Sequence, residues 1–159
     1  MSEVRFYQLQ RATLAEALPR LVEKARAAGM RVVVETATPE RRDALDTLLW
    51  TYDEESFLPH VTDRDPEAGE AEIVIAAAPQ PPPRPGRPEA LFLVDGAPLP
   101  ADPSAFARVL LVFDGADPEA TQTARERWRA VVAAGLEASY WAQDEEGRWV
   151  EKAKSAARG

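Results

Sequence analysis

The sequence predicts an α/β fold: a three-layer sandwich with a mostly parallel central sheet flanked by helices. Two observations carry this reading. Val32-Val33-Val34 and Ile73-Val74-Ile75 are unbroken runs of β-branched residues. Such runs suit strands buried on both faces, as parallel sheets require. Segments with apolar residues at helical spacing lie between several strand-like runs, and strands alternating with helices give layered α/β architectures.

The elements follow in order. Residues 4–8 are a short apolar-aromatic stretch and read as a first strand. Thr13-Leu14-Ala15-Glu16 has the form of a capping box. Leu14, Leu18, Leu21, Val22 and Ala25 then share one helical face, and Gly29 supplies the stop. Residues 31–35 form the second strand. Thr38-Pro39-Glu40 opens a second helix with a capping hydroxyl and a proline at the first helical position. Leu45, Leu48 and Leu49 give that helix its apolar face, and Trp50 closes it. A long acidic loop follows, then strands at 72–78, 90–95 and 108–113. The proline-rich stretch at 79–88 is expected to be an irregular connection within one sheet. Asp117-Pro118-Glu119 starts the last helix, which Gly135 ends. Residues 138–143 and 148–151 are expected to form a terminal hairpin across Asp144–Gly147.

At 159 residues the chain has the size of one ordinary domain. Residues 1–151 are read as that domain, and residues 152–159 as a flexible C-terminal tail. There is no cysteine and a single histidine, His60. Disulfides, thiol redox chemistry, zinc-thiolate sites and multi-histidine metal sites are therefore excluded, and no cofactor is expected. No apolar run approaches the roughly 20 residues of a membrane span. Charges in the first eleven residues do not suit a secretory signal, so a cytoplasmic location is expected. The formal net charge is −8, which disfavours direct binding to nucleic acid or to an anionic membrane. Most of it is local: residues 53–72 hold eight acids against one arginine, a charge of −7. A solvated loop is the ordinary reading of such a run, and a partner surface is the other.

Catalytic patterns are weak. The alternation of strands and helices invites a small nucleotide-binding α/β protein or enzyme, since such sheets bind phosphates at strand ends. Yet Gln8-Leu9-Gln10-Arg11-Ala12-Thr13, between the first strand and helix, has no glycine with which to close on a phosphate. No G-x-S-x-G pattern surrounds any serine. The acids of the 53–72 loop are crowded and polar, whereas a general acid needs an apolar pocket. A non-catalytic protein is the better reading.

Two clusters stand out instead. Thr121, Arg125, Trp128 and Val132 form one stripe along the last helix, with Arg127 and Arg129 beside it. A guanidinium next to an indole and an aliphatic patch suits a peptide carrying a carboxylate and an aromatic side chain. Core packing of Trp128 with solvated arginines is the plainer account. The second cluster, Leu49-Trp50-Thr51-Tyr52 with Ser56-Phe57-Leu58-Pro59-His60, gathers aromatics at a helix end. It suits either a small satellite core or an apolar contact for a partner protein.

At these clusters the chain resembles the chi subunit of bacterial DNA polymerase III, part of the clamp-loader assembly. The resemblance is carried by Phe6-Tyr7-Gln8-Leu9, by Leu45-Asp46-Thr47-Leu48-Leu49-Trp50, by Glu55-Ser56-Phe57-Leu58-Pro59-His60, and by Ala124-Arg125-Glu126-Arg127-Trp128-Arg129 followed by Ala134-Gly135. It implies a non-catalytic adaptor of the replicative polymerase. Such an adaptor binds the C-terminal tail of single-stranded DNA-binding protein and is linked to the clamp loader through the psi subunit. The tail site carries over to Arg125 and Trp128, with Val132 and Tyr140 nearby. The partner surface carries over to Trp50, Phe57, Leu58 and Pro59. One departure is Thr121, which stands where the family pattern has a lysine one turn before Arg125; Arg129 and Lys152 are the two candidates to replace that charge.

Overall fold

Helix α1 (Leu14–Ala27) begins with a complete capping box: the Thr13 side chain accepts from the Glu16 amide, and the Glu16 carboxylate accepts from the Thr13 amide. It ends as Gly29 takes φ of 88°, a conformation that glycine adopts without strain. The same logic starts α3 (Pro118–Ala133), where Asp117 caps the Glu119 amide and Pro118 fills the first helical position. Helix α2 (Pro39–Thr51) opens on Pro39, and the Thr38 hydroxyl accepts from the Arg41 amide. In this computed structural model the described residues are 2–51, 59–79 and 83–156.

Eight strands form one sheet: β1 (Glu3–Leu9), β2 (Arg31–Thr36), β3 (Val61–Thr62), β4 (Ile73–Ala77), β5 (Glu89–Leu93), β6 (Arg108–Asp114), β7 (Glu137–Gln143) and β8 (Trp149–Ser155). Their order is β3-β4-β2-β5-β6-β1-β7-β8, parallel throughout except for the antiparallel β7–β8 hairpin. The expected α/β sandwich and terminal hairpin are thus both present. The unbroken apolar runs sit where two-sided burial puts them, since every residue of β4 and of β5 is buried.

Two cores flank the sheet. On one face, Leu18, Leu21 and Val22 of α1 and Leu45 and Leu49 of α2 pack on Val32, Val34, Phe92 and Leu110. On the other, Ala124 and Val131 of α3 pack on Val4, Phe6, Leu91 and Leu111. Strand alternation divides neighbouring residues between the two layers. Phe6 serves the α3 side, while Tyr7 serves the α1 side against Trp141 and Trp149.

Three features differ from the sequence reading. Strand β3 lies within the stretch expected to be a loop, paired with β4 through Val61–Val74 and Thr62–Ile75. The acidic run is also tied down in part. Asp63 pairs with the buried Arg42 at 3.0 Å and accepts from the Ala77 amide at 3.0 Å, and Glu72 pairs with Arg87 at 2.6 Å. The hydrogen bond from Arg87 holds the Glu72 carboxyl below the ordinary range. Finally, β8 runs to Ser155. Residues 153–155, expected in the tail, pair with Tyr140, Ser139 and Ala138 of β7. Ladder hydrogen bonds to β7 extend the strand there although its side chains are mostly exposed.

Candidate functional site

Helix α3 crosses the sheet above β1 and β7, so its stripe meets residues far away in the sequence. Trp128 packs edge-on against Phe6 of β1 at 5.5 Å and 68°, and edge-on against Tyr140 of β7 at 6.0 Å and 78°. Phe6 and Tyr140 are register partners on adjacent strands and stack at 6.1 Å with their planes 11° apart. Phe113 of β6 closes the group, edge-on to Tyr140 at 6.0 Å. Edge-to-face and offset arrangements are the favoured geometries for such rings. Trp128 and Tyr140 are half-buried, Val132 is half-buried one turn on, and Arg125 and Arg129 are exposed. Four rings therefore form one cluster, with Phe6 fully buried at its base and Trp128 and Tyr140 partly exposed above it.

Arg125 is coupled to that cluster electrostatically. Burial pushes the Tyr140 phenol above its ordinary range, and the Arg125 charge acts against the shift. Of the residues named from the sequence, Trp128 meets Tyr140 and the Arg125 charge acts on Tyr140, while Val132 is half-buried one turn further along α3. Thr121, at the head of the stripe, has a buried hydroxyl oxygen with no hydrogen-bond partner among the described residues. Sequence reasoning missed Phe6, Phe113 and Gln8 as parts of this site. Gln8 Oε1 accepts the Tyr140 hydroxyl at 2.9 Å, across 132 positions in the chain. The alternation of Phe6 and Gln8 on β1 was a local signal for their shared face.

The second cluster lies at the far end of α2. His60 is buried; its Nε2 meets Asp46 Oδ1 at 3.0 Å, and its ring stacks on Trp50 at 4.3 Å and 27°. Trp50 remains 44% exposed, Leu48 on the same helix 40%, and Pro59 is exposed. Phe57 and Leu58, the other members of the expected partner surface, lie outside the described residues.

The other flank of α3 faces an open cavity of about 730 Å³ at the C-terminal ends of β1, β5 and β6. Phosphates bind at such places in sheets of this kind. Beside the cavity the backbone amides after β1 are already taken by the chain itself: those of Gln10, Arg11 and Ala12 all donate to Gln143 Oε1, at 3.1, 3.1 and 3.2 Å. The cavity lining includes Asp95, Asp114, Asp117 and Glu119 against Arg41 and Arg127. Burial raises the Asp95 carboxyl and lowers the Arg127 guanidinium, so neither charge is well solvated there. This constellation suits phosphate poorly. Among the described residues no group of three or more histidine, cysteine or acidic side chains is arranged to hold a metal ion. No helix among them is long and apolar enough to cross a membrane.

The fold describes a layered α/β protein in which a ring cluster under α3 reaches the surface at Trp128 and Tyr140, beside Arg125. Comparison with known proteins gives that class a family. A model of the family described as DNA polymerase III chi subunit, HolC, matches residues 1–139, and the chain belongs to that family. It is also similar to a protein of Rickettsia prowazekii (strain Madrid E) described as "Probable DNA polymerase III subunit chi". The two are 28% identical over 75 residues, covering 47% of this chain. The matched stretch spans 46% of that relative, about half its length. The family's description names a subunit of DNA polymerase III.

Proposed function

We propose that this chain is a non-catalytic adaptor of the polymerase III holoenzyme. It binds the C-terminal tail of single-stranded DNA-binding protein at the α3–β7 cluster, and it reaches the clamp loader through psi or another subunit at the Trp50 end of α2. Residues 1–151 act as one domain in the cytoplasm, without direct contact to nucleic acid.

The observation that carries the reading is that Trp128 meets Tyr140 and the Arg125 charge acts on the same Tyr140. The ring edges and Val132 offer an apolar seat for an aromatic side chain. The Arg125 fork offers charge-assisted hydrogen bonds to a terminal carboxylate or a nearby acid of the tail. Arg129, exposed on the next turn, supplies the charge that Thr121 does not. Docking at the second surface has the exposed Trp50 as its anchor; Phe57, Leu58 and Pro59 belong to the same proposed surface by their place in the sequence. The nucleotide-binding alternative is weakened because the three amides after β1 are already bonded to the Gln143 carboxamide and are not free for a phosphate.

Calorimetry with a synthetic tail peptide tests the reading. A charge-assisted contact contributes roughly 1.5–3 kcal/mol. Arg125→Ala is expected to weaken binding about 10- to 100-fold with the fold intact. Unchanged affinity would place the tail site elsewhere.

A further inference from the structure

We infer that Gln8 is a positioning residue of the tail site, holding the Tyr140 hydroxyl and so fixing the ring that walls the site beside Trp128. The inference rests on the tail-binding reading above and adds to it a residue that does not itself meet the tail.

Tyr140 is held in the ring cluster from three sides, by Phe6, Phe113 and Trp128. Ring contacts are weakly directional, and a phenylalanine would satisfy them equally well. The hydroxyl adds one directional bond, donated to Gln8 Oε1 at 2.9 Å. Gln8 sits two residues beyond Phe6 on β1, on the same face of the sheet, with Ala142 and Phe113 as its register partners.

Gln8 is itself confined. The turn between β6 and α3 lies directly on it, with the Gly115 amide donating to the Leu9 carbonyl at 2.8 Å. A Cβ at Gly115 would come within 2.6 Å of Gln8 Cγ, 2.7 Å of Gln8 Nε2 and 2.7 Å of the Leu9 carbonyl oxygen. The side chain of Gln8 thus has a turn packed against it, and its carboxamide cannot swing away on that side. Gly115 clamps Gln8, Gln8 orients Tyr140, and Tyr140 meets the Trp128 edge. Pre-setting a ring in this way lowers the ordering cost of binding.

The test is affinity for a synthetic peptide bearing acids and a C-terminal aromatic residue with a free carboxylate, measured by calorimetry on the full chain. Gln8→Met keeps side-chain length and removes the acceptor. It is expected to weaken binding about 3- to 10-fold, the range of one neutral hydrogen bond. Tyr140→Phe is expected to lose a similar factor, and the Gln8→Met/Tyr140→Phe double variant no more than either single one, because the two act through one bond. A double variant that loses the product of both factors would overturn the inference. So would affinity within about twofold of wild type in Gln8→Met or Tyr140→Phe, while Arg125→Ala is weakened 10-fold or more; the tail-site reading would then survive. Unchanged affinity in Arg125→Ala would overturn that reading and this inference together. Should Gln8→Met fail to fold by circular dichroism, Tyr140→Phe, which keeps the ring and loses only the hydroxyl, decides by itself.

Discussion

Trp128 and Trp50 both lie on helices, both contact another ring and both belong to a proposed interface, yet they sit in opposite environments. Trp128 is half-buried and leans on Phe6 and Tyr140, rings that belong to the core under α3. Trp50 is 44% exposed and leans on His60, which is buried and paired with Asp46. One indole is therefore part of the scaffold that supports its site. The other is presented outward by a buried ring beneath it. Truncation at the two sites is therefore expected to separate stability from association in opposite proportions.

The largest expected effect is on the Trp128 side. Trp128→Ala removes two edge contacts from the core cluster and is expected to destabilise the fold by about 2–4 kcal/mol, somewhat less than a fully buried tryptophan. For a chain of this size that lowers the melting temperature by roughly 4–16 °C. A thermal unfolding midpoint equal to wild type would erase the contrast between the two tryptophans.

Next comes association at the other site. Trp50→Ala is expected to lower the melting temperature by less than Trp128→Ala does, roughly 1–6 °C, since the lost stack is worth about 0.5–1.5 kcal/mol. The same change is expected to weaken capture of a clamp-loader subunit by about 2 kcal/mol or more, as truncation of an aromatic anchor does. Paired unfolding and pull-down measurements check this. A large stability loss with unchanged capture would make the Trp50 cluster a satellite core.

Salt sharpens the same comparison. Tail binding through Arg125 is expected to weaken as ionic strength rises, whereas an apolar contact at Trp50 is not. Calorimetry with the tail peptide at two salt concentrations reads the first and capture assays read the second. Equal salt sensitivity would mean that charge is shared by both surfaces.

The smallest effect is spectroscopic. Because burial raises the Tyr140 phenol, the folded chain keeps that proton to higher pH than the unfolded chain. Its contribution to stability is intact below the ordinary tyrosine range, near pH 10, and is lost as pH climbs through the folded value. Arg125 offsets part of the shift, so in Arg125→Ala the phenol is expected to titrate higher still. Ultraviolet difference titration, with Tyr140→Phe to assign the signal among the tyrosines, measures it. A lower titration in Arg125→Ala would separate Arg125 from the cluster.

Much of this arrangement was legible in the residues. The Thr13–Glu16 capping box, the Asp117-Pro118 helix start and the unbroken apolar runs act over a few positions, where propensity and capping dominate. Arg125, Trp128 and Val132 were legible as a stripe because helical spacing alone puts them on one side. The function of the stripe was less so, since an indole at that spacing serves a core equally well. In the structure Trp128 packs on Phe6 and stays partly exposed. The pairing of Arg42 with Asp63 was not legible, because an acidic run in sequence does not tell which carboxylate will meet a buried guanidinium.

By itself, then, the sequence determined the helices, the parallel strands, the exclusion of thiol and multi-histidine chemistry, and the resemblance that the family match bears out. Tertiary structure alone decided that β1 lies between β6 and β7, and everything that follows from that order. It brought Gln8 to Tyr140 across 132 positions, laid Gly115 on Gln8, and put the Gln143 carboxamide onto the three amides after β1. The physical reason is range. Capping, turn chemistry and periodicity act within a few residues, whereas strand order is fixed by how whole apolar faces bury against one another, and no local stretch of sequence encodes it.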